Sequence, residues 1–219
     1  MTTNRPFREA NAFYSGKPCE VPGCTRSRFS VSRWCERHLK HSRKHGTPTQ
    51  QPVMPHHYKL ERQEVAELIL KNQGHKGILT ATDHFLKWMI EASEGKDVPG
   101  EKSLARAYQE GTKAIDLLIE AAGLYRYHLM QPQQLADGIA LTYAMGRAIL
   151  RVGRIHEKTT HAVYGTPLRK TPTGGKIKSV GEYVLKPLLP LLHNIHQTIE
   201  QRAITAKEQI DELWSPFSN

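Results

Sequence analysis

Three cysteines and one histidine carry the densest chemistry of this 219-residue chain: Cys19, Cys24, Cys35 and His38, spaced C-x4-C-x10-C-x2-H. Two close pairs of soft or imidazole donors on either side of a short loop suit one tetrahedral Zn²⁺, because each pair can bend round the ion from a tight turn. Pro22 and Gly23 immediately precede Cys24 and supply turn chemistry where the first pair must fold back. No cysteine lies outside this cluster, so none is left over for a disulfide. His38 follows Cys35 by three residues, so both project from one side of the same helical turn. It is the preferred fourth ligand, and His41, one turn further along, is the alternative. Otherwise His41 and His45 read as solvated or phosphate-facing histidines on a basic helix. Four protein ligands leave no open position for a water nucleophile, so one structural zinc is expected.

The surround is strongly cationic. Arg26, Arg28, Arg33, Arg37, Lys40, Arg43 and Lys44 fall between positions 26 and 44, opposed there by Glu36 alone. A zinc module has little core of its own, so most of these side chains must face outward and form a positive face suited to phosphate backbones. Phe29 and Trp34 interleave with the cations. They read either as the mini-core under the metal or as aromatic material on the basic face.

The segment CEVPGCTRSRFSVSRWCERHLKHSRKHGTP resembles the small zinc motif of many bacteriophage and mobile-element proteins. That motif runs C-x4-C, a basic loop, C-x2-H, then a basic helix closing on H-G-x-P, here Arg43, His45, Gly46 and Pro48. The resemblance covers about 30 of the 219 residues. It implies a structural zinc in a nucleic-acid-associated protein, often one attached to an HNH-type nuclease.

Nuclease chemistry of that type needs a general-base His, a supporting Asn or His and a second metal-binding His on a hairpin-plus-helix scaffold. Beyond the zinc segment, asparagine occurs only at Asn72 and Asn194, in helical patterns, and at Asn219, the last residue. His56 and His57 are adjacent in a Pro-flanked stretch with no strand alternation after them. Gly174-Gly175-Lys176 lacks the order of a P-loop. The histidines at 75, 84, 128, 156, 161, 193 and 196 are scattered, and the pair His193/His196 has no carboxylate beside it. The expectation is a binding protein rather than an enzyme.

Positive charge sits in two blocks. Residues 1–58 hold ten Lys/Arg and three Asp/Glu, and residues 151–178 hold seven and one, whereas the remainder is slightly acidic. Two blocks suggest two contacts with a polyanion. The N-terminus has no apolar run of signal-peptide type, and no stretch has the uncharged length of a membrane span. Thiol ligation suits a reducing compartment. These features predict a cytoplasmic protein with no membrane partner, and the resemblance implies that the cell is a bacterial host.

Breakers and periodicity predict an all-α protein: a small N-terminal zinc module followed by a helical bundle with long antiparallel helices. The expected parts are an N-terminal tail (1–16), the zinc module (17–47), a Pro-rich linker (48–58), a helical domain (59–164), a basic loop (165–178) and a C-terminal helical region (179–215). Within the helical domain, a first helix ends near Gly74 and Thr82 or Asp83 caps a second. Ser103 caps a long third helix whose seam is Leu104, Tyr108, Gly111, Ile115, Leu118, Ala122, Tyr125 and Leu129. After Pro132 a fourth helix carries Leu135, Ile139, Thr142, Met145, Ile149, Val152 and Ile155. Its glycines and alanines permit close approach by a neighbour, and a short junction makes helices three and four an antiparallel hairpin. The last helix, kinked at Pro187 and Pro190, carries a long seam that either completes the bundle or pairs with a second copy in a homodimer.

The functional expectation is a zinc-stabilised, non-catalytic nucleic-acid-binding protein of phage or mobile-element type, with DNA preferred to RNA. Arg26, Arg28, Arg33, Arg37, Lys40, Arg43 and Lys44 are its expected phosphate contacts, joined by Arg169, Lys170 and Lys176 from the basic loop. A protein-interaction or virion-structural module is the first alternative and a divergent metal-dependent nuclease the second.

Overall fold

The computed structural model describes residues 13–14, 16–135, 137–152 and 172–214, with side chains in the final helix described to residue 209. Seven α-helices and one 3₁₀ turn account for most of them, and among the described residues there is no strand, only an isolated bridge between Pro18 and Ser27. The fold is all-α, as the periodicity predicts. The helices are α1 (Glu36–His45), α2 (Lys59–Lys71), α3 (Lys76–Ser93), α4 (Glu101–Gln109), α5 (Ala114–Met130), α6 (Gly138–Val152) and α7 (Gly174–Trp214), with the 3₁₀ turn at Pro55–Tyr58.

Helix α5 is the hub. Leu117, Leu118 and the run from Glu120 to Tyr127 are all buried, because α2, α3, α6 and α7 pack around it. Trp88, Phe85 and Met89 of α3, Met145 and Ile149 of α6 and Val180 and Val184 of α7 complete one continuous core. Two buried charges sit within it. Glu120 accepts hydrogen bonds from the Tyr58 hydroxyl and from Arg62 at 3.1 Å. Arg126 donates to Glu64 at 2.8 Å and Glu200 at 2.6 Å, and contacts His196 Nδ1 at 3.0 Å. Pairing of this kind is what lets a charge survive burial. It also clasps α2 and α7 onto α5.

Close backbone approach joins α6 to α7. A Cβ on Gly146 would lie 1.9 Å from the Ile177 carbonyl oxygen, and one on Gly181 would lie 1.9 Å from that of Thr142. The two residue pairs run in opposite directions along the chain, so the helices are antiparallel. The glycine-rich face of the fourth helix does admit a close neighbour, and that neighbour is α7.

Several expected elements are redrawn. The long third helix is two helices, α4 and α5. Gly111, at φ +79°, closes α4 in a Schellman motif: Thr112 N–H reaches the Ala107 carbonyl at 2.9 Å and Gly111 N–H that of Tyr108 at 3.0 Å. A heptad position filled by glycine thus ends the helix instead of continuing the seam, and Tyr108 is left exposed. The helix starts at Glu101 after Gly100, not at Ser103. Helix α3 begins at Lys76, with His75 Nδ1 accepting from Gly77 N–H, six residues before the expected caps Thr82 and Asp83.

Helix α6 turns its buried face to Ala140, Leu141, Ala144, Met145, Ala148 and Ile149, leaving Ile139 exposed; Ile155 lies outside the described residues. Helix α7 starts at Gly174, inside the expected basic loop, and is one helix through Pro187 and Pro190. Both prolines are exposed, so the carbonyls they leave without helical donors lie toward solvent or a side chain. One of these carbonyls, at Tyr183, lies against His84, whose ring also stacks on that of Tyr183 at 5.2 Å. Leu188, Leu192 and Ile195 are buried, whereas residues 201–209 are exposed all round.

Alanine in place of an unpacked helical glycine stabilises by up to about 1 kcal/mol, whereas overpacking costs typically 1–3 kcal/mol. Gly146→Ala is therefore expected to lower the unfolding free energy by about 1–3 kcal/mol or more. Gly175→Ala, with open space around it, should be neutral or mildly stabilising. Equal effects of the two in urea titrations would contradict the tight α6–α7 contact.

Candidate metal centre and its basic surround

Two backbone devices bring the four donors together. The first is a tight turn, in which Cys24 N–H donates to the Val21 carbonyl at 3.0 Å across Pro22 and Gly23, with Gly23 at φ +75°. Pro followed by a positive-φ glycine is the pattern of a type II turn. It folds Cys24 back towards Cys19, and crossing hydrogen bonds from Cys19 N–H to Arg26 O (2.9 Å) and from Arg28 N–H to Lys17 O (2.8 Å) hold the knuckle. The second device is α1 itself. Cys35 occupies its N-cap with extended backbone, and Leu39 N–H closes the first turn on the Cys35 carbonyl at 2.9 Å. His38 then lies one turn in and points to the same side.

The donor atoms of Cys19, Cys24, Cys35 and His38 all lie within 4.8 Å of one another. His38 Nδ1 is 3.4 Å from Cys19 Sγ and 3.5 Å from Cys35 Sγ, and the sulfurs of Cys24 and Cys35 are 4.0 Å apart. Zn–S bonds of about 2.3 Å and a Zn–N bond of about 2.0–2.1 Å place tetrahedral sulfurs about 3.8 Å apart and S···N about 3.5 Å apart. The fit is close. Cys19 and Cys35 are buried, Val21 lies with them, and Trp34 packs against the group.

One of the thiols, that of Cys19, is electrostatically prepared for ligation. Burial alone would push the Cys19 thiol up, but hydrogen bonds from His38, from the Val21 and Cys35 backbones and from Cys24 outweigh it and bring it down to about 6. Cys24 moves the other way: the Arg26 backbone lowers it, but burial and the neighbouring Cys19 and Cys35 thiols together raise it. A cation at the centre would remove that competition by holding all three as thiolates.

His41 is not part of the cluster. Its Nε2–H donates to the Gln50 carbonyl at 2.6 Å, and its ring stacks on His45 at 4.4 Å. His45 is driven down to about 4, by burial first and then by Arg147, His41 and Lys44, so it stays neutral near pH 7.

The seven cations around the Cys₃His cluster divide into two kinds. Arg28 is a brace, donating to the Pro18 carbonyl at 3.0 Å and to Glu20 at 2.9 Å with little of its side chain exposed. Arg33 is 70% exposed, reaches Glu20 at 3.7 Å and lies over Trp34, while Lys40 pairs with Glu36 at 2.6 Å. Arg26, Arg37, Arg43 and Lys44 are exposed and have no ion pair among the described residues. Arg26, Arg28, Phe29, Arg37 and Lys40 line one shallow open cleft. Phe29 is exposed there, so only Trp34 of the two aromatics belongs to the mini-core. Lys176 is exposed in the first turns of α7; Arg169 and Lys170 lie outside the described residues.

The residues expected to form a linker instead pack against the bundle. Val53 and Tyr58 are buried in the main core. Gln50 Nε2 donates to the Gln134 carbonyl at 2.6 Å, and Arg151 Nη1 to that of Val53 at 3.1 Å. Arg147 donates twice to the Lys44 carbonyl at the end of α1, at 3.0 and 2.7 Å. A Cβ on Gly46 would meet Ile139 at 2.9 Å, and one on Gly174 would lie 1.6 Å from the Arg43 carbonyl oxygen. The module is seated on α6 and on the start of α7. Arg147 and Gln134 carry no local sequence signal for this role, because their partners are backbone carbonyls far away in the chain.

Comparison with protein-family models, with curated proteins and with solved structures yields no match to the chain.

Zinc added to metal-free protein at pH 7 is expected to bind with one ion per chain and to shield three thiols from an alkylating reagent. Stripping it with a strong chelator should restore their reactivity. Cys35→Ser should abolish stoichiometric uptake. Thiols reacting equally fast with and without zinc would show that these four residues hold no ion.

Proposed function

We propose that this protein is a zinc-stabilised nucleic-acid-binding protein of phage or mobile-element type, which grips DNA mainly through its phosphates and performs no chemistry on it. Zinc is favoured among divalent ions by three thiolates and one imidazole in tetrahedral spacing. Four protein ligands close the coordination sphere, which suits a structural role and not hydrolysis.

The observation that carries this reading is the outer face of the metal module. Arg37, Lys40 and Lys44 are exposed at i, i+3 and i+7 on α1, opposite the side that carries His38 and the buried Ser42. Arg26 and Arg33 extend the charge across the knuckle. A rigid row of cations on a short helix is an arrangement that neutralises a phosphate backbone and releases its counterions. Base reading would be confined to the few side chains of α1 that reach a groove. Among the described residues no helix is long and apolar enough to cross a membrane.

A protein-interaction module is the second reading, favoured by Glu20 and Glu36, which engage Arg28, Arg33 and Lys40 and reduce the charge left for phosphates. The nuclease reading draws on His56, His57 and His84. The first two sit in the 3₁₀ turn and His84 on α3, and no metal-capable cluster other than the Cys₃His group occurs among the described residues.

Each phosphate contact contributes about 0.9 to the slope of log K against log salt, so two contacts are worth about sixtyfold at about 0.1 M salt. Charge reversal at Arg37 and Lys40 together is expected to weaken duplex DNA binding by at least that factor and to flatten the salt slope by about 2, with the helical circular dichroism unchanged. Unaltered affinity would remove α1 from the interface. Binding that ignores salt would favour the protein-partner reading, and magnesium-dependent cleavage would favour the nuclease.

A further inference from the structure

Arg43 and Gly174 belong to the two basic blocks and lie 131 residues apart in the chain, yet the fold brings them together. The end of α1 and the start of α7 meet backbone to backbone, Gly174 against the Arg43 carbonyl, at a distance no side chain could share. Lys176 and Lys178 follow within the first turns of α7, both exposed. Lys178 is paired with Glu182 at 3.2 Å, whereas Lys176 has no ion pair among the described residues. Arg147 holds the Lys44 carbonyl from the third side, and its own guanidinium, like that of Arg151 one turn on, finds no carboxylate among the described residues. Burial there lowers the proton affinity of Arg147, with Arg151 adding to the effect. A seam between two elements that gathers Arg43, Lys44, Arg147 and Lys176, none of them ion-paired among the described residues, is an unbalanced positive surface. Folding alone does not require it, because the same seam is already held by backbone contact.

We infer that Lys176 extends the α1 cation row into one continuous phosphate-binding face, so that both basic blocks grip the same short stretch of duplex DNA. This rests on the nucleic-acid reading above and specifies its footprint. From Arg37 to Lys44 the α1 row is about 10 Å long, at about 1.5 Å per residue. With α7 starting in contact with its end, the whole face spans on the order of 25 Å, or about 7 base pairs at about 3.4 Å each. A duplex is the partner because the row lies on a convex helix, and Phe29 is the one aromatic among the described residues that line the cleft beside it. Single-strand binders instead string several stacking platforms along a groove.

The test uses the full-length, zinc-loaded chain with duplexes of about 12 and about 40 base pairs, titrated at several salt concentrations. Lys176→Ala should weaken binding about eightfold at about 0.1 M salt and lower the salt slope by about 0.9, equally on both duplexes. Lys176→Glu should weaken it further, with the thermal midpoint unchanged because the side chain is exposed and unpaired. If Lys176→Ala matters only on the long duplex, the blocks make two separate contacts and the inference is overturned. If it has no effect on either duplex while the Arg37/Lys40 reversal does, the inference fails and the nucleic-acid reading stands. If the unaltered protein binds neither duplex, both fall.

Discussion

The architecture depends on how closely two helices can pass. Gly146 and Gly181 let the backbones of α6 and α7 touch, each occupying space that any side chain would deny to the other helix's carbonyls. That contact sets the height of α7 against the bundle and therefore where its first turn emerges. The first turn, at Gly174, is the ledge on which the end of α1 rests. Through this chain of contacts a steric allowance inside the helical body fixes the pose of a metal module at its edge. Arg147 supports the same pose by donating to the α1 terminus, whose last carbonyls have no helical donors of their own.

The interior adds a polar clasp to this apolar frame. Glu120 and Arg126 lie on the central helix, buried; Glu120 engages Arg62 of α2, and Arg126 engages Glu64 of α2 and Glu200 of α7. Removing either partner of such a pair strands a charge in low dielectric, which penalises alternative packings more than it strengthens the native one. The tyrosine that Glu120 holds, Tyr58, ends the strap leading from the metal module. The strap is therefore anchored at both ends.

What could be read from the sequence was whatever chemistry is local. The Cys₃His group was legible because metal ligation needs its donors in tight turns and single helical turns, so spacing alone identifies them. The Gly/Ala face of α6 was legible as a place of close approach, although not the partner that uses it. The seam that spans Gly111 misled because a heptad pattern cannot tell a glycine that continues a helix from one that caps it at positive φ. Lys176 was placed in a loop because two glycines read as breakers, whereas packing against α1 makes them the opening of a helix. Arg28 was counted among free cations since its counter-ion, Glu20, lies across the knuckle and outside the basic stretch. The docking of the module was illegible because its contacts join side chains to distant backbone carbonyls, and every residue has a carbonyl.

The seating of α1 has a kinetic side. Two of the four ligands, Cys35 and His38, belong to the first turn of a helix whose last turn is held by Gly46, Arg147 and Gly174. In small zinc peptides metal binding and folding are one equilibrium, because the unfolded chain holds no preformed site. Here two of the four donors sit on a helix that is itself seated on α6 and α7. Metal release would thereby be coupled to the stability of that helical interface as well as to the lability of the four bonds.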